Sequence, residues 1–582
     1  MKKLFLLLII SVLMTLGQTH SQTLDDYILA VKGDTLVIKD YHDMGNKPNS
    51  LYYALLLDTI DATAGRVYEL RANGYYTFYH NPNVDRPTVI VGENPVSVVN
   101  NNNITSKPPL ICIEPGEYDP NIPLISLKAD FTIKNCQLVA AAPDQTIGWT
   151  LFTQDKSGIR MLFDNCIMER TFWVMVALKD SNCTVKFRNC YFVNLSGKAT
   201  WRNSGVLGAQ KKQDTLLVEN CTHVMTQGNV YLFEDMPFKR IIINHNTFIN
   251  NAGSVFRNPG YQDNVSLTNN LFVNSNIYPN NVCLQRDIWD DPDLLPIGLV
   301  NVNNIDSANH SQRKFLVQKN LAFWDPLLAD FDSILNAGSD TLCWESQMII
   351  MNSRTQDMFD NDAQYPFLTM DTWKNQPPNF TDPKDLFTTQ LDVINTYVLD
   401  QADEFQDVVL PMWRLTSTGP ESFVHPDWPI PVDLSYSDPD LQTAGLAKFP
   451  LGDLNWFPAQ KDAWLAQRSA EYDSIDYALS TGRMVTAVKE HNKLPVQFKL
   501  HQNYPNPFNP VTIISWQLAV SSHVNLSIYN ILGQKVVTLV DKKQSAGNHQ
   551  IEWDASGLAS GVYLYRLNVN GQEASMKMIL LR

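Results

Sequence analysis

The chain has 582 residues, a formal net charge of −15, 44% hydrophobic residues and only 18% charged residues. The length exceeds one ordinary core, the hydrophobic share excludes a disordered chain, and the acidic surface excludes nucleic acid as a partner. Low charge beside plentiful Asn, Thr and Ser suits an all-β surface better than a helical one.

Lys2 and Lys3 precede an apolar run from Leu4 to Leu16, and Thr19-His20-Ser21 offers small residues around a cleavage site. This predicts a secretory signal peptide over 1–21. The apolar run is too short to cross roughly 30 Å of hydrocarbon, so a membrane anchor is the poorer reading. No later segment has the length or apolarity of a spanning helix, so the mature chain is not expected to be an integral membrane protein. Loss of Lys2 and Lys3 takes its charge from −15 to −17. After an N-terminal segment, 22–50, Leu51-Tyr-Tyr-Ala-Leu-Leu-Leu reads as a short amphipathic helix that could serve as a lid. Arg66-Val-Tyr-Glu-Leu-Arg then opens the first strand, with Gly74-Tyr-Tyr-Thr-Phe and Pro87-Thr-Val-Ile-Val-Gly after it.

Next comes a repeat, apolar-x-apolar-x-Asn-(Cys/Asn)-x-apolar. Its copies are Phe131-Thr-Ile-Lys-Asn-Cys136, Met161-Leu-Phe-Asp-Asn-Cys166, Val185-Lys-Phe-Arg-Asn-Cys190 and Leu216-Leu-Val-Glu-Asn-Cys221. It continues as Ile241-Ile-Ile-Asn-His-Asn246, Val265-Ser-Leu-Thr-Asn-Asn270 and Phe315-Leu-Val-Gln-Lys-Asn320. Their last positions lie 30, 24, 31, 25, 24 and 50 residues apart, and the final gap reads as two shorter periods. Such a period admits leucine-rich repeats or parallel β-helices. The Leu spacing and helical half of the former are missing. Each copy instead holds three short apolar runs between polar turns, which is one coil of a β-helix with three strands per coil. Coils then pair through parallel strands about 4.8 Å apart.

Stacking would place Asn135, Asn165, Asn189 and Asn220 in one ladder at the bend between second and third strands. Asn tolerates left-handed backbone there, and its amide can bond neighbouring rungs. The next position would stack inward as Cys136, Cys166, Cys190, Cys221, Asn246, Asn270 and Asn320. Parallel Cβ vectors disfavour the roughly 90° torsion of a disulfide, so these cysteines read as small buried fillers. Bridges between neighbouring rungs are the alternative.

Over 325–458 the repeat fades into Trp-, Pro- and Asp-rich sequence, expected to decorate and cap the coil stack. Within 459–494, a helix is predicted from Pro458 to Leu479 on apolar Trp464, Leu465 and Tyr472, followed by a polar linker. From Pro495 short alternating strands begin, with Leu518, Val520, Val524, Leu526 and Ile528, and turn signals at Gly533-Gln and Asn570-Gly571. They predict a small immunoglobulin-like β-sandwich over 495–582.

The chain carries two resemblances. The segment from Leu51 to Trp324 resembles right-handed parallel β-helices of the pectate-lyase-like kind. The C-terminal part carries Asn503-Tyr-Pro-Asn-Pro-Phe-Asn-Pro510, Ile528-Tyr-Asn-Ile-Leu-Gly533, Trp553-Asp, Gly561-Val-Tyr-Leu-Tyr and Lys577-Met-Ile-Leu-Leu-Arg582. These segments resemble the type IX (Por) secretion C-terminal sorting domain. Tyr504, Pro505, Asn506, Pro507, Phe508, Asn509, Pro510, Gly533 and Gly561 carry that likeness. It implies handling by the type IX machinery and passage to the surface or surroundings of a Gram-negative-type bacterium.

A long coil stack offers a flat groove along its first strands, where an extended polysaccharide could lie. Fold alone gives no activity, so the polar strand ends matter. A polysaccharide lyase needs a Lys or Arg base and a group that neutralises a uronate, often Ca2+ held by carboxylates. Lys179, Lys211 and Arg257 are the candidate bases. Glu234 with Asp235, and Asp290, Asp291 and Asp293, are candidate calcium ligands. Charged, solvated turns are the simpler account of all of them. The arginine pattern of pectate lyases and the carboxylate set of polygalacturonases are absent. The sequence therefore favours a monomeric, non-catalytic polysaccharide-binding protein over a calcium-assisted lyase or glycoside hydrolase.

Overall fold

The computed structural model describes residues 22–58, 66–78, 81–93, 106–114, 123–144, 146–195, 205–233, 238–257, 264–281, 295–302, 311–339, 341–381, 384–404, 432–488, 499–503, 505–518, 522–544, 547–569 and 572–581. The signal-peptide segment lies outside them. The chain divides into two compact units, Met1–Lys489 and Glu490–Arg582.

The first unit is a parallel β-helix. A full coil gives one strand to each of three sheets, as Thr150–Gln154, Arg160–Asp164 and Ile167–Glu169 do. Among the described residues, first strands build a 7-stranded sheet, second strands a 12-stranded sheet and third strands a 9-stranded sheet. Register is kept from coil to coil, with Met161, Val185, Leu216, Ile241, Val265 and Phe315 paired in succession. Burial alternates along second strands such as Phe131–Lys134, so one face packs inward and the other meets solvent. First and third strands are buried on both faces, which is why they read as unbroken apolar runs. Aromatic rings stack through the interior, Phe163 on Phe187 at 5.1 Å and Phe248 on Phe272 at 4.9 Å.

Three features depart from the sequence expectations. Asn264–Thr268 pairs directly with Lys314–Gln318, and Leu271–Ser275 with Leu321–Phe323. The 50-residue gap is therefore one coil with a long excursion, not two coils, because a period counts residues and not rungs. The second sheet also runs past 51–324 at both ends. Ile28–Lys32 and Thr35–Ile38 form a hairpin on its first edge, and Leu368–Met370 adds a strand at the other. Finally, Leu465 is 50% exposed; the helix Pro458–Thr481 buries Trp464, Glu471, Ser474, Ile475, Ala478 and Leu479 instead.

The helix Ser50–Leu57 covers the opening coils with Leu51, Ala54 and Leu55, which join the core of Leu36, Tyr68 and Tyr76. The far part of the unit folds back over the third sheet. Val432, Leu434, Tyr436, Leu451, Trp456 and Phe457 pack on outward-facing Val193, Val224, Ile249 and Leu271. Polar groups then fasten this strap, and tie the helix Pro458–Thr481 after it to the second strands. Asp453 accepts from Thr222 Oγ1 at 2.7 Å, Asn455 Nδ2 donates to the Asn220 carbonyl at 2.8 Å, and Asn244 Nδ2 donates to Glu471 at 2.8 Å. Arg468 Nε donates to Glu219 at 2.8 Å, and Tyr472 bonds the same carboxylate.

The second unit is a sandwich of two antiparallel sheets. Lys499–Leu500, Val511–Leu518 and Gly547–Asp554 make one. Lys535–Gln544, Ser522–Asn530, Gly561–Val569 and Gln572–Leu580 make the other. Alternating residues, among them Ile514, Trp516, Leu526, Ile528, Tyr565 and Met578, fill the core between them.

Candidate sorting site and first-sheet rim

Asn135, Asn165, Asn189 and Asn220 take left-handed backbone, and His245, Asn269 and Lys319 do so on the following coils. Asn suffers least there among residues with a Cβ. Asn165 Nδ2 donates to Asn135 Oδ1 at 2.8 Å, whereas Asn189 Nδ2 donates to Asp164 at 2.8 Å. One position on, Cys136, Cys166, Cys190 and Cys221 are buried free thiols. Burial holds the first three well above the usual thiol range. Cys343 is disulfide-bonded. Below Cys221 the column turns polar. Asn246 Nδ2 donates to the Val218 carbonyl at 3.0 Å and Asn270 Oδ1 at 3.1 Å. Asn270 Nδ2 donates to the Ile243 carbonyl at 3.0 Å and Asn320 Oδ1 at 2.9 Å.

A second left-handed bend, not anticipated from sequence, lies at the end of the third strands, at Arg170 directly after one and at Asn194, Met225, Asn250 and Asn274 one residue before the last of the others. Asn274 Nδ2 donates to Asn250 Oδ1 at 3.1 Å. Its signal was available: each residue lies five positions after the first bend, and three of the five are Asn.

The candidate bases do not converge. Lys179 and Lys211 are exposed and follow strands that neighbour one another, Val174–Leu178 and Gly205–Ala209. Lys211 Nζ stands 3.7 Å from Asp180, so its charge is already matched. Arg257 is 3% exposed and lies three strands from Lys179's strand, about 14 Å at ordinary strand spacing. Glu234, Asp235, Asp290, Asp291 and Asp293 lie outside the described residues. Among the described residues no three His, Cys, Asp or Glu are grouped to hold a metal ion.

At the opposite end of the first strands stands an aromatic group that sequence reasoning passed over. Trp149 and Trp173 immediately precede Thr150–Gln154 and Val174–Leu178. Their rings are 6.2 Å apart, with Phe172 4.9 Å from Trp149. Trp149 is 36% exposed and the other two are half-buried. The backbone fixes the pair, since Trp173 N donates to the Trp149 carbonyl at 3.0 Å.

In the second unit, segments far apart in sequence meet at one end of the sandwich. Asn503 Nδ2 donates to Thr512 Oγ1 at 2.9 Å and to the Pro505 carbonyl at 3.0 Å, folding the Asn-Pro run onto the first strand. Asn503 N donates to Tyr565 Oη at 2.8 Å, and that hydroxyl donates to the His501 carbonyl at 2.8 Å. Asn506 Oδ1 accepts from Ile579 N at 2.9 Å. Phe508 N donates to the Ile579 carbonyl, also at 2.9 Å. Phe508 itself is buried, and its ring lies 5.7 Å from that of Trp553. Gly533, at φ +78°, closes the turn after Ser522–Asn530. Gly561 pairs with Leu580 at the same end. Tyr504 lies outside the described residues; Pro507, Asn509 and Pro510 continue the run into Val511.

No helix among the described residues is long and apolar enough to cross a membrane. No curated protein and no solved structure matches the chain. Residues 502–581, however, match the secretion system C-terminal sorting domain. That domain marks the chain for handling by the type IX secretion system and export to the cell surface or the extracellular space.

Proposed function

We propose that the exported β-helix is a polysaccharide-binding protein that grips its ligand along the first sheet without cleaving it. The signal peptide over 1–21 takes the chain across the inner membrane, the sorting domain takes it across the outer one, and the mature protein acts as a monomer. The observation that supports binding is the Trp149, Phe172 and Trp173 group. The C–H faces of a pyranose are apolar, and a partly exposed, backbone-fixed aromatic surface gives them a platform at little conformational cost. Exposed Lys179, at the other end of the strand that Trp173 precedes, suits an acidic sugar. Lys179 and Lys211 are also what a calcium-assisted lyase would use as a base, whereas a glycoside hydrolase would need a pair of carboxylates.

A panel of neutral and uronate polysaccharides, offered with calcium to the full chain, tests the reading. Retention of a glycan that W149A/W173A loses at least tenfold, with no unsaturated product by absorbance, is the expected outcome. Steady formation of that product would establish the lyase, and no retention of any glycan would end the binding proposal.

A further inference from the structure

The sorting domain distributes its apolar surface unevenly. Among its described residues six large apolar side chains are exposed: Ile513, Ile531, Leu532, Val562, Leu564 and Leu581. All lie within four residues of strand ends on the side of the sandwich where the Asn503–Pro510 run sits. Ile513 is third in its strand, Val562 and Leu564 are second and fourth in theirs, and Leu581 comes directly after the last. Ile531 at 71% and Leu532 at 77% exposure form the tip of the turn between Ser522–Asn530 and Lys535–Gln544. That tip is held in shape, not loose. Asn530 Oδ1 accepts from Leu532 N and from Gln534 N, each at 3.0 Å. Presenting two bare aliphatic side chains on a fixed turn costs solvation and gives no internal packing in return. Pre-ordered, exposed apolar anchors are what a protein interface buries at its centre.

The charge of the unit points the same way. Glu490–Arg582 holds eight Lys or Arg and five Asp or Glu, a net +3, so the preceding chain carries −18. Lys535 and Lys577 are exposed beside the apolar tip and strip. A partner with an apolar pocket and an acidic rim would attract this end and repel the rest of the protein.

We infer that the Ile531–Leu532 turn, with the Val562, Leu564 and Leu581 strip beside it, is the surface by which the domain docks into an apolar, acid-rimmed pocket of a type IX machinery protein. This rests on the export reading of residues 502–581 and assigns its contact surface.

The test uses the full chain in a bacterium that has the type IX system, comparing surface and periplasmic fractions. I531D/L532D is expected to cut the surface fraction about tenfold, as loss of an interface anchor does, with unchanged thermal unfolding. L342D, at an equally exposed site of the first unit, exports normally. If the aspartates lower the melting temperature, I531N/L532N and L581D repeat the measurement. Normal export of a stable I531D/L532D chain would overturn the inference. So would its loss of binding to phosphatidylethanolamine–phosphatidylglycerol vesicles that the parent chain binds, because the turn would then be a lipid contact. Deleting 495–582 separates the two levels. If the deletion is exported, the export reading fails; if it is trapped while I531D/L532D passes, only the docking surface fails.

Discussion

The β-helix and the sorting domain use polar residues in opposite ways. In the coil stack polar devices recur from turn to turn: a left-handed bend, most often at Asn, a thiol or amide behind it, and charged pairs between adjacent coils. Asp180 with Lys211, after two first strands, and Asp214 with Lys239, on two second strands, each join facing positions of adjacent coils. Repetition marks a structural duty, since any coil needs it. In the sandwich nothing recurs. Asn503, Asn506, Gly533 and Gly561 come from separate segments and meet at one end, beside apolar residues left uncovered. Convergence of unrepeated residues is the better sign of a surface read by something else.

That contrast can be broken or sharpened by substitution. The largest effect is expected within the amide column. Asn270→Ala removes donors to the Ile243 carbonyl and Asn320, and the acceptor of Asn246, all buried. It should cost about 3–5 kcal/mol in denaturant unfolding of the β-helix, because partners are left unsatisfied. A cost under 1 kcal/mol would mean the column does not hold the coils.

The strap gives the next effect, read against pH. Burial pushes Asp453 up to about 6 from its usual 3.8, against the pull of its Asn455 and Thr222 bonds. The folded state therefore keeps a proton between about pH 4 and 6 that the unfolded chain has released. Its contribution is greatest at low pH and is lost as pH rises through 6, by up to ~3 kcal/mol. Asp453→Asn should remove that difference between pH 4 and 7; identical pH profiles for parent and variant would contradict it.

Smaller effects separate bend from column. Asn165→Ala keeps the left-handed backbone without the amide and should cost about 1–2 kcal/mol. Cys190→Ala, at a buried filler position, should cost about 1 kcal/mol. In the native protein the six described free cysteines should resist alkylation until unfolding. Rapid labelling of Cys166 or Cys190 would show that the coils open.

The same contrast explains how much of the molecule was legible in its sequence. The repeat exposed the coil because Phe131, Met161, Val185 and Leu216 return at regular intervals with Asn behind them. It failed where intervals were irregular: the excursion before Lys314 looked like another coil, and Thr35–Ile38 and Leu368–Met370 lack the Asn that marks a rung. The sequence offered the strap as decoration over 325–458 but not its fastening, since Asp453, Asn455 and Glu471 find partners more than 200 residues away. Spacing likewise could not say that Arg257 is buried, or that Trp149 stands beside Phe172. The sorting domain was legible as motifs, yet only folding shows its scattered segments at one end.

The most direct measurement is fractionation of cells making the full chain or a chain ending at Leu494. Full-length protein should reach the surface or the medium, and the truncated β-helix should fold but stay periplasmic. Equal delivery of both would contradict the claim that the terminal sandwich carries this β-helix out of the cell.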